Sequence, residues 1–221
     1  MPMALRWLSV LLIQATLVAA LPAQGIDAQA LSRAQALKAL EQPAALLRRA
    51  GVERLAEIGA MKDADQVALR LHDADAQVRD LATASMWQIW SRSGDKTVDA
   101  DYQKGLLLME AGRIGEGLAV FSAIIKKRPE FAEAWNKRAT LYFLAGEFEL
   151  SLKDCDEVMK RNPHHFGALS GYGQIYLQMG ELEQSLSYFE RALKVNPGLA
   201  GVAAAIEALQ RQLGNRRRTT I

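Results

Sequence analysis

Several residue types that carry protein chemistry are scarce in this sequence. Its single cysteine, Cys155, cannot form a disulfide within the chain, and a metal site built from several thiolates is excluded too. With only three histidines, the chain has few side chains that could bind a metal or assist a nucleophile. The 27 Lys and Arg residues nearly balance the 25 Asp and Glu, which argues against a nucleic-acid binder with a basic surface. Charged residues are 24% and hydrophobic residues 50% of the chain, which argues against wholesale disorder.

Residues 1–25 contain the long apolar run of the chain. One charge, Arg6, precedes an almost uninterrupted apolar stretch over residues 7–21, and small residues follow at Ala23 and Gly25. As a helix this stretch would span ~22 Å, less than the ~30 Å hydrocarbon core of a bilayer. We therefore expect a secretory signal peptide cleaved near Ala23 or Gly25, with an uncleaved membrane anchor as the alternative. Export would place the chain in the periplasm of a double-membraned bacterium or, alternatively, outside a eukaryotic cell.

The second half of the sequence repeats with a period of 34 residues. Each unit predicts two helices, with a turn at a glycine between them and a stop at a proline after the second. Small residues at fixed positions are expected where the two helices of a unit cross. The columns that keep the period include Pro129, Pro163 and Pro197; Gly112, Gly146 and Gly180; Gly105, Ala139 and Gly173; and Gly117, Ser151 and Ser185.

Three units, 98–131, 132–165 and 166–199, resemble tetratricopeptide repeats. The third carries the family pattern best, the second carries most of it, and the first is weaker. The resemblance implies an all-α fold, a right-handed α-solenoid of helix-turn-helix repeats. The matching residues are Gly173, Tyr176, Ser185, Phe189, Ala192 and Pro197 in the third unit; Trp135, Ala139, Tyr142, Ser151 and Pro163 in the second; and Gly105, Phe121 and Pro129 in the first.

The segments on either side of the repeats are also predicted to be helical. Residues 26–97 form a helical N-terminal region, within which 63–95 resembles one HEAT-type unit through Asp73, Asp75, Val78 and Arg79. Residues 200–213 predict a capping helix that covers the last repeat, and 214–221 a basic tail. The whole arrangement is similar to small exported tetratricopeptide-repeat proteins of Gram-negative bacteria, which supports a periplasmic location.

In the family, the first helix of each unit lines a concave groove that holds peptides. The resemblance carries this role onto twelve candidate residues, among which Met109, Phe143 and Leu177 share one repeat position and would form an apolar stripe flanked by amides and hydroxyls. The alternative is that these side chains pack against the N-terminal region or the capping helix. The candidates are Tyr102, Leu106, Met109 and Glu110; Glu133, Asn136, Thr140 and Phe143; and Ser170, Gln174, Leu177 and Gln178.

Other features give narrower expectations. Some family members grip a peptide carboxylate with Lys, Asn and Arg side chains, but the corresponding positions here include Leu106, Gly167 and Gly171, so no such clamp is expected. Trp87 and Trp90 are predicted to be core residues that seal the junction between the N-terminal region and the first repeat, with an interface role as the alternative.

The sequence therefore predicts a non-enzymatic adaptor that binds a peptide segment of another envelope protein. No cofactor, metal or nucleic acid is expected, and no membrane contact apart from the signal peptide, since no nucleophile-base pair, phosphate loop or ligand cluster is apparent. Two alternatives stay open. One is a structural subunit docked through another face, and the other is a periplasmic holdase for unfolded exported proteins.

Overall fold

The computed structural model describes residues 26–219, with side chains up to residue 215, so the predicted signal peptide lies outside the described part. All regular secondary structure in this range is helical, which confirms the predicted fold class. None of these helices combines the length and apolar character needed to cross a bilayer. The helices are α1 (Arg33–Leu40), α2 (Ala45–Ile58), α3 (Ala64–Ala68), α4 (Ala76–Trp90), α5 (Lys96–Glu110), α6 (Ile114–Lys127), α7 (Ala132–Leu144), α8 (Phe148–Arg161), α9 (Phe166–Gln178), α10 (Leu182–Val195) and α11 (Ala200–Thr219).

Helices α5 to α10 form three successive antiparallel pairs, each turned by one glycine. Gly112, Gly146 and Gly180 have φ of 68°, 79° and 80°, the left-handed conformation that glycine adopts without steric cost. At the first turn the N–H of Arg113 donates to the Leu108 carbonyl at 2.9 Å and that of Gly112 to Met109 at 3.0 Å. This Schellman pattern satisfies the last carbonyls of α5 and explains why glycine recurs at this position.

Within each pair the helices approach closely at the small residues. The ring of Phe189 on α10 fills the space beside Gly173 on α9, and the Ser185 hydroxyl donates to the Gly173 carbonyl at 2.7 Å. The second pair is held by a matching bond of 2.7 Å from Ser151 to Ala139. The 34-residue spacing of these small residues is therefore a packing requirement.

The N-terminal helices share a core with the last repeat. Leu55 of α2 and Ile89 and Trp90 of α4 form one buried cluster together with Phe166, the first residue of α9. Ion pairs also connect the helices of this region. One such pair joins Arg48 to Asp73 at 2.7 Å. The likeness of residues 63–95 to a HEAT-type unit stays a prediction.

Helix α11 covers the apolar face that the last repeat exposes. Ile206, Leu209 and Leu213 are buried against Leu182 and Phe189 of α10. The helix does not end at residue 213 as expected but continues to Thr219, where a basic tail was predicted. The sequence offers nothing to stop it, because no proline follows Pro197.

Candidate functional site

The three helices α5, α7 and α9 form what we call the inner groove. Helix α4 packs against the N-terminal end of α9 and contacts α7. Its Trp87 ring contacts Phe166 at the start of α9, with ring centroids 5.2 Å apart. The Lys137 ammonium of α7 lies 5.3 Å from the centroid of the same ring. Ser93, just after α4, donates a hydrogen bond from its hydroxyl to the Asp99 carboxylate of α5 at 2.6 Å. The N-terminal region therefore covers one end of the inner groove at the second and third repeats.

A stacked pair of rings anchors α4 to the third repeat. Trp90 and His165 are 4.2 Å apart between centroids and nearly parallel, at 19°. Both side chains are buried, and Trp87 packs edge-on against each of them. The prediction that these tryptophans are core residues holds for Trp90, but the junction they seal includes the start of the third repeat rather than the first repeat alone.

Beneath α4, the buried carboxylate of Glu133 collects hydrogen bonds from several elements. His165 lies 2.8 Å from Oε2, while Lys137 and Asn136 each lie 3.0 Å from Oε1. The Tyr102 hydroxyl is at the limit of hydrogen bonding, 3.5 Å away. Because every oxygen of this carboxylate has a donor, its burial is compensated by polar partners.

The hydrogen bonds of His165 define its tautomer. The backbone N–H of Ala168 donates to Nδ1 at 2.9 Å, so Nδ1 is unprotonated and the ring caps the N-terminus of α9. The ring proton of the neutral imidazole is consequently on Nε2, from which it is donated to Glu133. One side chain thus joins the cap of α9 to the carboxylate on α7.

The partners of Glu133 keep it ionised. Burial by itself raises the pKa of this carboxyl group, but the hydrogen bond from His165 and the charge of Lys137 outweigh it, and the pKa falls from 4.5 to about 2. The site beneath α4 is therefore a stable ionic network at neutral pH.

Three of the twelve predicted groove residues belong to this interior and not to an open surface. Tyr102 and Glu133 are 1% exposed and Asn136 is 8% exposed. Tyr102 packs against Phe121 and Phe131 of its own repeat, while Glu133 and Asn136 belong to the hydrogen-bond network described above. In this structure these three side chains are therefore largely enclosed by residues of the same chain.

Of the other nine predicted residues, eight lie farther along α5, α7 and α9, whereas Ser170 shares the repeat position of Tyr102 and Asn136. The role of all nine stays a prediction. Apolar and small side chains are half-buried there, and polar ones are exposed beside them. The half-buried residues are Leu106, Met109, Phe143, Ser170 and Leu177, and the exposed ones are Glu110, Thr140, Gln174 and Gln178. We call this uncovered part, from Leu106 to Gln178 on α5, α7 and α9, the open half of the groove.

A cavity of about 220 Å³ opens into this half between α7 and α9. Thr140 and Phe143 of α7 line it on one side, and Gln174 and Gly171 of α9 on the other. Cys155 of α8 lies behind them, and burial raises the pKa of its thiol to about 12, so it is a protonated packing group rather than a nucleophile.

Sequence reasoning did not assign Gly171 and Cys155 to the site. The available signal was the pair Gly167 and Gly171, one helical turn apart, at positions where the second repeat has Glu133 and Lys137.

Within residues 26–219, no group of three His, Cys, Asp or Glu side chains is placed to hold a metal ion. The arrangement offers apolar contact and neutral hydrogen-bonding groups.

The repeats are recognisable in known proteins. Residues 130–197, which include most of the second and third units, match the tetratricopeptide-repeat family model. A TPR repeat-containing protein of Rhizobium etli is 33% identical over 67 residues, which is 30% of this chain and 33% of the relative. The chain thus spans one third of the length of this curated relative. The predicted repeat family is therefore confirmed for this part of the chain.

Solved structures show the same fold. The first TPR domain of Spaghetti (RPAP3), bound to the HSP90 peptide SRMEEVD, is 19% identical, with a TM-score of 0.52 over 54% of this chain and 94% of that domain. The Sgt2 TPR domain from Aspergillus fumigatus is 17% identical, with a TM-score of 0.53 over 56% of this chain and 83% of that one.

Proposed function

We propose that the protein is a non-enzymatic interaction module that binds a peptide segment of a partner protein in the open half of the groove. The observation that carries this proposal is the cavity between α7 and α9, flanked by the exposed side chains of Thr140 and Gln174. A pocket for an apolar anchor beside neutral hydrogen-bonding groups suits an extended peptide, whose backbone needs donors and acceptors.

The structural relatives support binding of this kind without supplying the ligand. Spaghetti is described in complex with an acidic HSP90 peptide. This chain has Leu106, Gly167 and Gly171 where the clamp of such domains needs basic and amide side chains, so we propose a different peptide. The covered end of the groove is also unavailable, which limits the ligand to the surface beyond Trp87.

We further propose that the protein acts in the bacterial cell envelope. This part of the proposal rests on the predicted signal peptide over residues 1–25 and on the single, buried cysteine, which an oxidising compartment tolerates. The partner is then another envelope protein.

Two substitutions in the open half of the groove are expected to reduce partner recovery about ten-fold. The double variant Thr140→Arg, Gln174→Arg places two charges beside the cavity at exposed positions, so it blocks the site without disturbing the core. The matched control is Ser187→Arg, Gln184→Arg, two exposed positions on α10 with the same gain of charge. The measurement is quantitative mass spectrometry of proteins crosslinked to the affinity-tagged chain in its native host.

The outcomes separate the proposed function from its rivals. Loss of one dominant envelope partner in the groove variant but not in the control supports the proposal. Equal recovery by both variants would assign binding to another face, as expected of a structural subunit. Weak recovery of many unrelated proteins would indicate a holdase instead.

A further inference from the structure

Two glycines leave the surface of α9 without side chains on the groove side. Gly167 and Gly171 are one turn apart, and the same repeat positions carry Asp99 and Gln103 in the first unit. In the second unit they carry Glu133 and Lys137. The third repeat therefore has two adjacent gaps on a groove that is otherwise covered by side chains.

The first gap is filled by an aromatic ring from the same chain. The Trp87 ring packs so closely over Gly167 that a Cβ atom there would overlap it. The ring also contacts Phe166 and His165 edge-on, with centroids 5.2 and 5.5 Å apart. At this first gap, an aromatic ring therefore occupies the space that a missing side chain leaves on α9.

The second gap is open and has the size for a similar group. It forms the cavity of about 220 Å³ described above, which is contiguous with the first gap because Gly167 lines it as well. A Cβ atom at Gly171 would be 3.7 Å from the Cys155 sulfur, an ordinary contact. An engineered apolar cavity of roughly 150 Å³ accepts a benzene molecule, so this one has room for an aromatic ring.

The lining of the cavity selects against charge. Phe143 and Ile175 supply apolar surface, Thr140 and Gln174 supply neutral polar groups, and none of the lining residues carries a charged side chain. An ionised group that entered would lose hydration without gaining a partner of opposite charge. The fitting occupant is an uncharged ring.

We propose that the cavity beside Gly171 binds one uncharged aromatic side chain of the partner, seated on α9 as Trp87 is seated over Gly167. This inference deepens the proposed function and rests on it, since the ring is the anchor of the bound peptide. The partner segment would then continue along α9 from the point where α4 ends its contact.

Indole serves as the probe, because it is the side-chain ring of tryptophan. Titration of indole into the ¹⁵N-labelled protein, followed by amide NMR, is expected to show saturable shifts centred on Thr140, Gly171 and Gln174. Gly171→Leu should weaken indole binding at least about ten-fold by filling the cavity. Gly115→Leu is the matched control, since no atom of residues 26–215 lies within 4 Å of a Cβ atom placed there.

A second variant and a second probe keep the test decisive. If Gly171→Leu perturbs the fold, as circular dichroism would show, Gly171→Ala should still reduce affinity because its added methyl group fits beside Cys155. Isobutanol should bind about ten-fold more weakly than indole, since it leaves much of the cavity empty. Absence of indole binding, shifts insensitive to both Gly171 variants, or equal affinity for isobutanol would overturn the proposal. These results need no partner protein, so they are independent of the crosslinking test of function.

Discussion

Replacing Trp90 with alanine is expected to lower the free energy of unfolding by about 3–5 kcal/mol, the usual loss when a buried aromatic side chain is removed from a core. Trp90 is 3% exposed and stacks on His165, so the substitution leaves a cavity between α4 and the third repeat. Urea denaturation followed by circular dichroism measures the loss.

The matched control for this substitution is Trp90→Phe. Among the residues that the structure describes, the buried indole N–H of Trp90 has no hydrogen-bond partner. Phenylalanine therefore removes an unsatisfied donor while keeping an aromatic ring beside His165. We expect less than half of the loss seen with alanine, because relief of an unpaired donor offsets part of the lost contact. A loss below about 1 kcal/mol for Trp90→Ala would show that α4 is not docked on the repeats as described.

Replacing Glu133 with alanine is expected to cost a similar 3–5 kcal/mol, the range seen when one member of a buried ion pair is removed. The substitution leaves the Lys137 charge and the Nε2–H of His165 without their acceptor. The control is Glu130→Ala, an exposed glutamate paired with Arg128 at the surface, for which a loss within about 1 kcal/mol is expected. Equal losses for the two variants would contradict the ionic network beneath α4.

The same carboxylate predicts a specific dependence of stability on pH. The pKa of Glu133 is about 2 in the folded chain, whereas its ordinary value is 4.5. Its contribution to the free energy of unfolding is therefore fully present above pH 4.5 and is lost as pH falls toward 2. From that difference, wild type should lose roughly 3 kcal/mol more than Glu133→Gln across this window. Urea unfolding at several pH values between 6 and 2.5 compares the two chains, and parallel curves would contradict the lowered pKa.

The 34-residue period made the repeat fold predictable from sequence. Glycines such as Gly146 recur because each turn needs a left-handed residue, and small residues such as Gly173 recur because a ring from the next helix fills their space. These constraints are local to one helix pair. A single sequence displays them as a pattern that can be read without knowledge of other contacts.

The covering of the inner groove by α4 could not be predicted in the same way. Periodicity shows which residues share a face of a helix, but it does not show which other segment packs on that face. Tyr102 and Glu133 were therefore assigned to the groove from their repeat positions, although both are buried. Tyr102 packs against Phe121 and Phe131, and Glu133 bonds to His165. The sequence does show Gly167 and Gly171 as one unusual pair and Trp87 and Trp90 as another. It does not show that these two pairs come together in the folded chain.

The position of the binding surface is the central claim, and residue-specific photo-crosslinking in the native host tests it most directly. A photoreactive amino acid is introduced at Thr140, in the open half of the groove, and in a second variant at Ser187, exposed on α10. We predict one dominant partner crosslinked from position 140 and not from position 187. The same partner captured only from position 187 would contradict the groove as the binding surface.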